Sequence, residues 1–151
     1  MLQFPVLSED CNISHFVTTR QGGVSEGTYA SFNPGEYSGD DPEAVRANRK
    51  ILSDAIGIPA ERTFATFQVH GAEIRSIGPS FLSLPLEEQR LYMHGVDALA
   101  TNVPGVCIAV STADCVPVLL YAPDVEAVAA VHAGWRGTVE RLVAKDVRFL
   151  M

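Results

Sequence analysis

The sequence predicts an α+β fold, a mixed β-sheet with flanking helices, on three observations. Apolar runs of strand length, bounded by Gly, Pro, Asn or Asp, recur along the chain. Helix-period stretches are few, and no repeat or linker divides residues 1–151, which therefore read as a single domain.

Residues 13–19 have strand character, and RQGGVSEG at 20–27 is a glycine-rich loop. Asp41-Pro42-Glu43 supplies an N-cap, a proline at N1 and an acidic first turn. The helix that follows carries Val45, Leu52, Ala55 and Ile56 on one face and ends at Gly57. Residues 64–70 alternate as a strand that Gly71 terminates, and 73–77 continue it or pair with it. Residues 79–92 contain Pro85 and a charged turn, and predict a surface loop with one helical turn. Three β-rich runs, 106–112, 116–121 and 127–131, look like neighbours in one buried sheet. From Thr138 a stripe of Val139, Leu142, Val143, Val147 and Leu150 marks a helix still open at Met151.

Composition narrows the function. With 11 Lys+Arg against 18 Asp+Glu the net charge is −7 and no basic cluster is present, so nucleic acid and anionic membrane surfaces are poor partners. No apolar stretch approaches the roughly 20 residues of a membrane span, and the start lacks a signal-peptide pattern. Cys11, Cys107 and Cys115 form no CxxC pair, which points to a reduced, cytoplasmic protein without a disulfide framework.

His70 in QVHG and His132 in VHAG each end a strand-like run before small residues, and Cys115 in TADC lies between two such runs. Converging, they form a donor set of two histidines and one cysteine suited to zinc, with a fourth position open. Taken singly, each residue is better read as a packed position, because the spacing matches no local metal motif. Arg136, between Gly134 and Gly137 at a helix start, offers a guanidinium to an anion; the same segment also fits a glycine turn with Trp135 packed over the core. Arg20 sits in the other glycine-rich loop, which is not a P-loop. Asp97 and Asp114 are acid/base candidates, and also ordinary turn or cap residues.

Six ordered blocks resemble the YfiH-like family, known as laccase-like polyphenol oxidoreductases and as zinc-dependent purine nucleoside phosphorylases. They are TTRQGGVSEGTYASFN at 18–33, GDDPEAVRANR at 39–49, QVHG at 68–71, DALATNVPGVCIAV at 97–110, TADCVPVLLYAP at 112–123 and AVAAVHAGWRGTV at 127–139. The resemblance implies a YfiH-like mixed β-sheet sandwich with metal ligands at His70, Cys115 and His132. It also implies phosphorolysis of purine nucleosides, including methylthioadenosine, and deamination of adenosine, with purine nucleosides and phosphate as partners. Arg136 or Arg20 is then the candidate phosphate contact, and Asp114 the candidate for proton transfer or support of the ligands. Family members continue beyond the point that corresponds to Met151, so the domain is expected to be incomplete at its C-terminus. Two other readings stand beside this one. Copper also accepts His and Cys ligands and would make a polyphenol oxidase, although four histidines leave no second cluster for multicopper chemistry. The third is a noncatalytic metal-binding module.

Overall fold

The computed structural model describes residues 1–151, which fold as two compact units, 1–62 and 63–151. In the first unit, α1 (Pro5–Ser8) lies between the two residues of a single bridge, Leu2 and Val17, where the expectation was a strand over 13–19. No further strand extends that ladder, and His15 instead spends its ring, Nε2 accepting the Phe4 N–H at 2.7 Å. Helix α2 (Pro42–Ile56) forms as its caps dictate. Asp41 accepts the Glu43 N–H, Pro42 opens the first turn, and Gly57 closes the helix at φ +70 with its N–H on Ser53 O.

The buried face of α2 differs from the expected stripe. Val45, Asn48 and Leu52 point inward, whereas Ala55 is exposed. Asn48 is fully buried because it organises the glycine-rich loop: Oδ1 accepts the Val24 N–H at 3.0 Å, and Nδ2 donates to Ser25 Oγ at 2.8 Å and Asn33 O at 3.2 Å. Gly23 is needed for this approach, since a Cβ there would meet Ser31 O at 2.3 Å. Asp40 accepts Ser25 Oγ at 2.6 Å, and that bond holds its carboxyl below the usual carboxylate range.

The second unit holds two sheets. β1 (Thr63–Ala65) pairs in parallel with β4 (Cys107–Ala109), while β2 (Ile74–Ser76), β3 (Ala98–Thr101), β6 (Ala127–Ala133) and β5 (Val116–Ala122) form a mixed sheet in that order. The three β-rich runs therefore do not share one sheet: only β5 and β6 are neighbours, joined as a hairpin through the turn Pro123–Val125. Cys107 lies in the other sheet and is half-buried.

Residues 79–92 form two helices, α3 (Pro79–Leu82) and α4 (Leu86–Tyr92), and are no surface insertion. Phe81 anchors the segment by packing with Phe64, Ile77, Met93, Val96 and Leu99. Burying such a side chain contributes roughly 1.5–3 kcal/mol, which outweighs the turn-like composition. Alternation along β3 divides the core, with Leu99 in this cluster and its neighbours Ala98 and Ala100 in two others, which hold Leu142 and Leu150 respectively. Those leucines belong to α6 (Leu142–Leu150). The expected C-terminal helix is thus two helices, because Arg141 at φ +61 separates α6 from α5 (Trp135–Val139). No helix is long and apolar enough to cross a membrane.

Candidate metal centre

Sheet register assembles the centre. Ala98 of β3 lies opposite Val131 of β6, so Asp97 and His132, one position further along, face each other, and the His132 amide donates to Asp97 O at 2.8 Å. Val116 of β5 lies opposite Ala133, which brings Cys115, just ahead of β5, beside Gly134, just after β6. His70 arrives from the turn between β1 and β2, at φ +61.

The donor atoms of His70, Cys115 and His132 lie within 4.8 Å of one another; His132 is buried, Cys115 half-buried and His70 exposed. The two imidazoles meet edge-on, with centroids 4.8 Å apart. Gly134 makes the approach possible. A Cβ there would sit 2.9 Å from His70 Cδ2 and 3.5 Å from both Cys115 Sγ and His132 Cε1. Gly137 is equally constrained, since its Cβ would be 2.7 Å from Gly71 O. Two imidazole nitrogens and one sulfur around a gap kept open by glycine fit a single borderline-soft cation.

The surroundings of Cys115 disfavour its thiolate in the absence of a cation. Partial desolvation, followed by the charge and hydrogen bonding of Asp114 and the charge of Asp97, raises the Cys115 thiol above its ordinary range. A cation bound at the sulfur would offset these effects.

Asp97 is fully buried, unlike a carboxylate that exchanges protons with a substrate. It accepts the N–H groups of Val69 at 3.2 Å, His70 at 2.9 Å and Gly71 at 2.8 Å, and its Oδ1 lies 2.7 Å from His132 Nδ1. Asp114 is exposed, with Oδ1 3.8 Å from Cys115 Sγ. Arg136 is exposed, its guanidinium 5.1 Å from the Trp135 ring centroid. Trp135 does not cover the core; it is 69% exposed, because the α5 face that turns inward is the one bearing Gly137. With α5 only five residues long, its dipole adds little, and the anion candidate here is the Arg136 guanidinium. Arg20, in the first unit, donates to Thr28 O at 3.0 Å and to Ala30 O at 2.8 and 3.1 Å. Of the other histidines, His15 stacks on Phe4 and His94 on Phe67, and no second metal-type cluster is present. All three cysteines are free thiols. Sequence reasoning named Asp97 but missed its link to both histidines; the available signal was its place immediately before β3.

Comparison with known proteins finds relatives and structural neighbours. The chain is 50% identical over 143 residues to a protein of Bacteroides thetaiotaomicron named purine nucleoside phosphorylase, a match covering 95% of this chain and 53% of the relative. Among solved structures, YlmD from Geobacillus stearothermophilus superposes with a TM-score of 0.77 at 39% identity, covering 86% of this chain and 48% of that one. YfiH from Bacillus licheniformis gives 0.76 at 30% identity, covering 85% and 48%. The chain thus spans about half the length of the relatives it matches. The family model described as multi-copper polyphenol oxidoreductase laccase matches residues 14–151. On that match, and with YlmD and YfiH as structural neighbours, the chain belongs to this YfiH-like laccase family.

Proposed function

We propose that this chain carries the metal-binding portion of a zinc-dependent purine nucleoside phosphorylase that also deaminates adenosine and accepts methylthioadenosine, acting in the reducing cytoplasm. The observation behind this reading is the His70, Cys115, His132 cluster, with donor atoms within 4.8 Å of one another, in a chain whose relative bears the phosphorylase name. Zinc is favoured over copper because two imidazole nitrogens and one thiolate sulfur with one open position suit a zinc catalytic site, and only one such cluster is present. When bound, zinc supplies Lewis acidity toward water, phosphate or the purine.

The chain's own groups divide the remaining work. Arg136 is favoured for the phosphate, since its guanidinium faces solvent close in sequence to Gly134, whereas Arg20 spends its donors on Thr28 and Ala30. Asp114, exposed beside Cys115, is the residue this reading assigns to proton transfer or to support of the ligands. Nucleoside and phosphate are therefore the expected partners.

Metal analysis by mass spectrometry, paired with a nucleoside assay with and without phosphate, tests the reading. Stoichiometric zinc with phosphate-dependent release of the base is expected. Stoichiometric copper with oxygen uptake on a phenol would replace it with the oxidase, and metal without turnover would leave a binding module.

A further inference from the structure

Asp97 makes contacts that neither the donor set nor the family match assigns. Its carboxylate is fully buried, yet no acceptor position is wasted: Oδ1 takes the His70 N–H at 2.9 Å and lies 2.7 Å from His132 Nδ1, while Oδ2 takes the Val69 and Gly71 N–H groups at 3.2 and 2.8 Å. With three main-chain N–H bonds directed at its two oxygens, the side chain acts as an acceptor. The fourth contact must then be a donation from His132 Nδ1. That leaves Nε2 as the nitrogen with a free lone pair.

The same carboxylate reaches the second histidine through the backbone. His70 sits at φ +61, a region non-glycine residues rarely occupy, and the three consecutive N–H groups at 69–71 converge on Asp97 there. One buried side chain therefore sets the tautomer of one ligand and the backbone conformation of the other.

We propose that Asp97 is the positioning residue of the centre, presenting His132 through Nε2 and locking the turn that delivers His70 to the same cation. This inference rests on the metal reading of the His70, Cys115, His132 cluster. It assigns Asp97 no contact with substrate, and its effect passes through both histidines.

The test is 15N NMR of imidazole-labelled whole chain, stripped of metal, at a pH where His132 is neutral. A protonated, pyrrole-type nitrogen at Nδ1 of His132 is expected; protonation at Nε2 overturns the proposal. Zinc titration of the same sample keeps the two readings apart. Zinc binding with the Nε2–H tautomer would sink the role of Asp97 and leave the metal reading standing. The Nδ1–H tautomer without any zinc binding would sink the metal reading, and with it the role of Asp97 toward a metal. Asp97→Asn places an amide beside Nδ1 that can donate rather than only accept. In this variant the Nδ1–H signal is expected to be lost and zinc affinity to fall about 10- to 100-fold, the scale for outer partners of a metal ligand. A folded variant, by circular dichroism, with both unchanged refutes the proposal, and the wild-type spectrum decides it if the variant does not fold.

Discussion

The Cβ that Gly134 lacks would lie 2.9 Å from Cδ2 of His70. The backbone of Gly134 is at φ −71, open to any residue, so the constraint is the neighbouring imidazole and not the main chain. Gly134→Ala is expected to fold and to bind zinc about 10- to 100-fold more weakly, as expected when a ligand is pushed from its place. Competition with a chromophoric chelator, alongside a thermal melt, checks this. An unchanged affinity would mean that His70 moves away without loss.

Arg136 and Arg20 differ in what already occupies them. On the phosphorylase reading, Arg136→Ala is expected to raise the KM for phosphate about tenfold or more, with little change in melting temperature, as fits loss of a charge-assisted contact of about 1.5–3 kcal/mol. Arg20→Ala should instead lower the stability of the loop it braces at Thr28 and Ala30. Initial rates across a phosphate series, with melts of both variants, distinguish the two. A phosphate effect confined to the Arg20 variant would reverse the assignment.

Asp146 is fully buried in α6, and neither of its carboxylate oxygens has a hydrogen-bond partner. Burial pushes its pKa up from 3.8 to about 6. Because the folded state holds the proton more tightly than the unfolded chain, this group's contribution to stability falls as pH rises from about 4 through about 6. Asp146→Asn should therefore stabilise the chain by about 1–3 kcal/mol at pH 7.5 and leave it little changed below pH 4. Urea denaturation at both pH values gives the comparison; an equal effect at the two would show that charge is not the cause.

Asn48 joins α2 to the glycine-rich loop through Val24, Ser25 and Asn33. Asn48→Ala strands these buried groups and is expected to cost about 1–3 kcal/mol. Limited proteolysis should show earlier cleavage within residues 18–33. Cleavage at the wild-type rate would mean that the loop holds itself closed.

Where local chemistry is sufficient, the sequence was legible. Asp41, Pro42 and Gly57 bound α2 because capping and a left-handed C-cap are properties of adjacent residues. Residues 79–92 were misread for the opposite reason. Their turn-like composition is overruled by Phe81, whose burial depends on Phe64 and Leu99 from distant strands.

The sequence by itself determined the kinds of donor available, His70, Cys115 and His132, and the segments that carry them, since motif and periodicity are local. Only the tertiary structure decided that the strand ends meet. Asp97 and His132 stand 35 positions apart and face each other because of the register between β3 and β6. Within the first unit, packing against the glycine-rich loop put Asn48 rather than Ala55 inward, and within the second Trp135 was left in solvent. Pairing register and burial are settled by which distant surfaces exclude water together, a property that no stretch of neighbouring residues contains.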